Sequence, residues 1–476
     1  MPSLDLALSS KSTPGSMMPR PHRAVAPALL AAVLALLVGC PDALRPPETW
    51  DPDALGAAWV ILGDADTAAL GTDLAVTDWN RDGRLDLVAS APGPPGCDRC
   101  EGRVFLYLNG EDGLPVTPSA VTTDAEPGGG FGRALDVGDV DGDGLPDLLA
   151  SRGAGGGVAV IAGRGDAGFG DTLAVLEAPR GWALGARALR LVDLGAGLEL
   201  VAVGAVPGRG GDHRLLGTVH AWSMPDGARH RILLGPEAGL PLLGLAILGT
   251  GDFDGDGAPD LALGAGSAGL PQTANGAIFV LRGDGRPALP THTGPGDSRL
   301  GSSGVVLGDL DGDGLVELAA GSPYGHRGGH EDGYVAILGV DPADRALRPR
   351  WESPSGNDWT GHGRALAAGC TDASGAILLA DSRGLPAVQN SDGTVIEVLR
   401  VGAGLVPEPV AEARLPTREW SFGPAMDLAP LGPGARCTLV VGMPAFRGKD
   451  GVVGALAAFP IASSAAQPGV TTPREP

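Results

Sequence analysis

Lysine is almost missing from this chain of 476 residues: only Lys11 and Lys449 are present, so nearly all positive charge is arginine, a bias that a high-GC genome explains. Positive charge of any kind is scarce, with 34 basic against 56 acidic residues and a formal charge of −22. That balance argues against nucleic acid as a partner, because neutralising phosphates needs a positive face. Aromatic residues are 4% of the chain. One long apolar run exists, Ala24 to Val38, and it is too short for a confident spanning helix. No His-Glu-x-x-His, Gly-x-Ser-x-Gly or phosphate-binding loop is found, and no enzyme is expected.

What the chain has in abundance is glycine (79) and proline (42), a profile of short strands joined by turns. Its most informative stretch is Asp139-Val-Asp-Gly-Asp-Gly-Leu-Pro-Asp147. Oxygens of Asp139, Asp141, Asp143 and Asp147, with the carbonyl of Leu145, give the alternating donor spacing that a hard cation such as Ca²⁺ takes. Gly142 and Gly144 permit the positive φ that lets alternate carboxylates converge. Three variants recur: Asp78, Asn80, Asp82, Arg84 (carbonyl) and Asp86; Asp252, Asp254, Asp256, Ala258 (carbonyl) and Asp260; and Asp309, Asp311, Asp313, Leu315 (carbonyl) and Glu317. About four structural Ca²⁺ ions are expected. An EF-hand needs an acidic twelfth residue, and Ala89, Ala150, Leu263 and Ala320 stand there instead.

A glycine after a large or aromatic residue precedes each loop, at Gly71, Gly132, Gly185, Gly244, Gly301, Gly363 and Gly423. Seven units follow from that spacing. The third keeps only Asp193 and Glu199, while the sixth and seventh have no usable loop. In the second unit the pattern predicts strands at Arg133 to Asp139, Asp147 to Ser151, Gly157 to Gly163 and Thr172 to Ala178. Each unit reads as a four-stranded antiparallel meander with the acidic loop in its first hairpin. One such sheet cannot cover both its faces, so seven should pack radially as an all-β, seven-bladed β-propeller. The seventh unit lacks a fourth strand, and Ala58 to Leu62 is expected to supply it and close the ring, removing the open edges.

With Phe131-Gly132, the loop Asp139 to Asp147, and Ser90-Ala-Pro92, Gly321-Ser-Pro323 or Gly442-Met-Pro444, the units resemble FG-GAP repeats, as in the propeller at the amino end of integrin alpha chains. The resemblance covers about residues 58–460. It implies that partners meet the face made by connections between the second and third strands and between blades. Here those include Arg209 to Arg214, Tyr324 to Glu331, Arg383, and Arg447 to Lys449, which suggests a protein or polysaccharide partner. The seven units are expected to form a monomeric propeller.

At the amino end, Arg20 and Arg23 precede the apolar run, and Leu37-Val-Gly-Cys40 resembles the lipobox of bacterial lipoproteins. That implies a signal peptide at 1–39, lipidation at Cys40 and a tether at 40–57. The propeller would occupy 58–460 and a disordered tail 461–476. The expected product is a calcium-binding lipoprotein held to the membrane of the cell envelope by its lipid anchor, in an adhesion or envelope-interaction role. The alternatives are an architectural envelope subunit or a polysaccharide-acting enzyme. Cys97 and Cys100 are expected to form a small loop disulfide, and Cys370 and Cys437 are candidates to pair across neighbouring repeats. Arg164-Gly-Asp166, Arg282-Gly-Asp284 and Gly296-Asp-Ser298 read as turns, His326, His330 and Glu331 as a solvated loop, and Trp182, Trp359 and Trp420 as packing between blades.

Overall fold

The second strand of each repeat is apolar on both sides, as in Leu87-Val-Ala-Ser-Ala91 and Leu148-Leu-Ala-Ser151, so it must be covered from both faces. The computed structural model meets this demand with sheets stacked around a ring. It describes residues 57–461 except 64–67, 94–100, 125–129, 154–155, 178–182, 208–214, 236–244, 267–274, 328–329, 332, 354–361, 373, 385–393, 416–424, 433–435, 445–446, 449–450 and 453. Cys40, Cys97, Cys100, Trp182, Trp359, Trp420 and the predicted leader and tether up to residue 56 lie outside the described residues.

Seven four-stranded antiparallel sheets form the blades. Blade two has strands Leu135–Gly138, Asp147–Ser151, Val158–Gly163 and Phe169–Leu176, with its fourth strand starting earlier than the sequence pattern indicates. The first strands of the other blades begin at Leu74, Ala183, Leu245, Ser303, Leu366 and Ala425. Blade seven takes its outer strand from the amino end: Trp59–Leu62 pairs antiparallel with Ala455–Pro460, from Trp59 opposite Ala458 to Leu62 opposite Ala455. The ring therefore closes as the sequence indicates.

The core is divided among the gaps between blades. Each of seven buried clusters draws on two adjacent blades; for example Val104, Leu106 and Phe131 meet Leu148 and Ile161 between blades one and two. Strands Asp86–Ala91 and Asp147–Ser151 are buried at every residue. The repeat glycine allows this close stacking. A Cβ on Gly363 (φ +75°) would stand 2.7 Å from the Cα of Gly321 in the preceding blade, and one on Gly71 (φ +84°) 2.6 Å from the Cα of Gly442. The two glycine-bearing signatures of the repeat thus meet across the blade boundary, where no side chain fits.

Polar ties join the blades further. The Asp73 carboxylate accepts the N–H of Leu135 in the next blade at 2.8 Å, and Asp136 accepts that of Leu191 at 2.6 Å. Cys370, in the first strand of blade six, is disulfide-bonded to Cys437 in the second strand of blade seven, with Cα atoms 5.9 Å apart. The sequence offered this pairing but not the separation that decides it.

Candidate metal centres in the blade hairpins

In blade two, residues 139–146 lie between the paired Gly138 and Asp147. The turn is built by its own carboxylates. Asp139 accepts N–H groups from Gly142 (2.7 Å) and Gly144 (3.0 Å), Asp141 from Asp143 (3.0 Å), and Asp143 from Leu145 (2.8 Å). Gly142 and Gly144 have φ of 81° and 91°, as the tight turn requires. Asp147 is fully buried and holds two elements: Oδ2 takes the N–H of Val140 and Oδ1 that of Gly163, both at 2.8 Å.

Loops four and five repeat this pattern. Asp252 accepts from Gly255 and Gly257, and Asp309 from Gly312 and Gly314. Asp260 accepts from Phe253 at 3.1 Å. Glu317 accepts from Leu310 at 2.8 Å, so its extra methylene leaves that tie intact. In loop one Asp86 accepts from Trp79 (2.8 Å) and Asn109 (2.7 Å). Arg81 takes φ +60° where the other loops have glycine.

The residue after the first aspartate was not singled out in the sequence. Trp79 and Phe253 are fully buried and Val140 nearly so, each in a core cluster between blades. These side chains lock the loop to the core, and the signal was the large apolar residue at that place in every intact loop.

Three of the four predicted loops bring carboxylate oxygens of three residues within 4.8 Å of one another: Asp139, Asp141 and Asp147; Asp252, Asp254 and Asp260; Asp309, Asp311 and Glu317. Asp143, Asp256 and Asp313 stand outside these triads, turned to the N–H groups of Leu145, Ala258 and Leu315. Loop one has Asn80 in the middle place. Asn80 donates to Asp166 at 2.8 Å, and Arg84 pairs with Asp82.

Burial pushes Asp86 and Asp260 up to about 6 and Glu317 to about 7, and raises Asp147 as well. Neighbouring carboxylates add to the rise, while backbone N–H groups oppose it. Two like charges 4 Å apart repel by about 1 kcal/mol even in water and by more where water is excluded. A cation would relieve that repulsion.

Blades three and six, which lack an intact loop, answer the charge internally. Blade three turns with only residues 194–197, and its buried Glu199 is held by both Nε (3.0 Å) and Nη2 of Arg231. Blade six turns between the paired Thr371 and Ile377, and Arg400 donates to Asp372 (2.7 Å) and Ser374 (2.7 Å). Asp193 is occupied by the N–H groups of Gly195 and Gly197. Blade four is intermediate: its loop is complete, yet Arg282 donates to Asp254 at 2.7 Å through Nε.

The remaining motifs take structural places. Gly165–Ala167 forms a 3₁₀ turn, and Gly285 donates to the carbonyl of Arg282 at 2.8 Å, so both Arg-Gly-Asp tripeptides are turns. Ser298 is fully buried and donates to the carbonyl of Asn275 at 2.6 Å. His362 Nδ1 meets Asp381 at 2.7 Å. His326–Arg327 and His330–Glu331 pair as a small ribbon, and Arg447–Gly448 and Gly451–Val452 form another.

A model of the FG-GAP-like repeat matches residues 78–150 and 252–320. Phosphatidylinositol-glycan-specific phospholipase D of Homo sapiens is 37% identical over 125 residues, 25% of this chain and 14% of that protein. The Rattus norvegicus protein is 40% identical over 89 residues, 17% of this chain and 11% of its own length. Integrin alpha-IIb of Mus musculus is 36% identical over 104 residues, 21% of this chain and 10% of the integrin. The matches thus span 10–14% of the length of these relatives. Together with the seven blades they support an FG-GAP propeller.

Proposed function

We propose that this FG-GAP propeller is an exported, lipid-anchored protein whose acidic hairpins hold about four structural Ca²⁺ ions and whose opposite face binds a macromolecular partner without catalysis. The calcium reading is carried by the repeated triads. In the three triads every side-chain donor is a carboxylate oxygen, three residues offer atoms within 4.8 Å, and the turn is already bent by its own glycines. A hard divalent cation suits that donor set, with no nitrogen or sulfur ligand. When bound it would supply positive charge among the loop carboxylates, while Asp147 and its counterparts fasten the hairpin to the blade.

Topology supports the division of labour. In a four-stranded meander, connections one to two and three to four share one end of the sheet. Connections two to three and the links between blades share the other. The acidic hairpins take the first end and leave the second to ribbons carrying Arg327 and Arg447. A ligand-binding or adhesion role is consistent with the FG-GAP propeller, and the integrin match supports it. Acylation at Cys40 would provide the anchor.

Affinity capture from envelope extract tests this reading. The calcium-loaded full chain should enrich one partner reproducibly, and Arg327→Glu or Arg447→Glu should reduce its recovery while Asp141→Ala, kept in excess calcium, leaves it intact. A capture profile identical to that of an unrelated lipoprotein would refute the binding role. Cys40→Ser should move the protein out of the membrane fraction.

A further inference from the structure

We propose that Arg299, Tyr324 and Arg364 form a carboxylate-binding site for acidic side chains of a protein partner, at the end of the propeller opposite the acidic hairpins. This deepens the binding role above and rests on it. The residues come from three connections at that end. Arg299 precedes the first strand of blade five, Ser303–Gly308; Tyr324 follows its second strand, Glu317–Ser322; and Arg364 leads into Leu366–Thr371 of blade six. Cζ of Arg299 lies 4.3 Å from the centroid of the Tyr324 ring, and Cζ of Arg364 lies 5.9 Å from it.

The arrangement is held by buried groups. Fully buried Ser298 donates to the carbonyl of Asn275, and its own carbonyl accepts the hydroxyl of Ser322. Ser302 donates to the carbonyl of Arg299 at 2.7 Å. The residues either side of Ser298 are left-handed, Asp297 at φ +55° and Arg299 at φ +53°. Each costs about 1–2 kcal/mol for a side chain bearing Cβ, and the buried serine bonds offset it. The turn thereby presents an exposed arginine over a tyrosine.

A guanidinium stacked on a ring is already ordered, so it loses little more freedom when it grips a carboxylate with two parallel N–H bonds. Arg299 is exposed and, among the described residues, is in no ion pair. Since arginine covers the tyrosine face, the ring is no open platform for stacking a sugar. That favours a glutamate or aspartate side chain over a polysaccharide.

The test is titration of a hexaglutamate peptide into the calcium-loaded full chain by calorimetry, with hexaglutamine as control. Saturable binding to the glutamate peptide is expected, weakened about tenfold or more by Arg299→Gln and by Tyr324→Leu, with Arg299→Lys intermediate. Arg299 is exposed, so the Arg299→Gln variant should melt as the parent does. No peptide binding, or equal affinity in Arg299→Gln, would overturn the site. Arginine-dependent binding of oligogalacturonate in preference to the peptide would overturn the choice of ligand. Partner capture that survives in the absence of peptide binding removes this site alone, whereas peptide binding without any captured partner removes the broader role.

Discussion

Blade two and blade three turn the same hairpin in different ways. Blade two spends residues 139–146 on a loop of carboxylates and supplies no cation to it, whereas blade three makes the turn with residues 194–197 and sets Arg231 against buried Glu199. The need is common to both: an acid that begins the second strand fastens the hairpin from a buried position. The counter-charge differs: blade three carries its own in Arg231, whereas on the proposed reading blade two takes an external cation among Asp139, Asp141 and Asp147. Calcium dependence should therefore be a property of individual blades, with blade three indifferent to it.

Chelation should have the largest effect on that contrast. At calcium one hundred times Kd each site adds about 2.7 kcal/mol, so removing about four ions should lower the melting temperature by on the order of ten degrees in calorimetry. Arg231→Met should come next, losing about 3 kcal/mol in denaturant titration because Glu199 is left buried and unpaired, and losing it equally in calcium and EGTA. Asp141→Ala should remove one site's share of the calcium-induced shift, and Asp143→Ala, outside the triad, a smaller part of it.

A pH comparison sharpens the same point. The folded values of Asp86, Asp260 and Glu317 are raised above ordinary carboxylates, so without calcium their contribution to stability is full below about pH 4 and is lost as pH rises through about 6 to 7. Asp73, raised to about 7 by burial, acts in the same sense. His220 is lowered to about 4 by burial and acts in reverse below its ordinary value of 6.5, so the window is kept above that. In EGTA the protein should melt about one or two degrees higher at pH 7 than at pH 8.5, and the calcium-induced shift should be larger at pH 8.5. The smallest change is Arg81→Gly, which relieves a left-handed arginine in loop one and should stabilise the fold by about 1 kcal/mol.

The repeat, its strands and the closing strand were legible because their signals are local: a loop of fixed spacing, a glycine before it, an apolar run after it. The arginine counter-ions were not, because they face their acids across a sheet. Asp254 and Arg282, and Asp372 and Arg400, are each 28 residues apart, and that shared interval was the one available clue. The site around Tyr324 was legible only as scattered positive charge, since it takes three connections to assemble. Cys370 and Cys437 were visible as a pair, but only the packing of blades six and seven brings them together.

External cations should fill the acidic hairpins and no others, and equilibrium dialysis against labelled calcium measures this directly. The expected result is about four ions per chain at saturation, one fewer in Asp141→Ala and no change in Arg231→Met. No bound calcium, or a count that Asp141→Ala leaves unchanged, would contradict it.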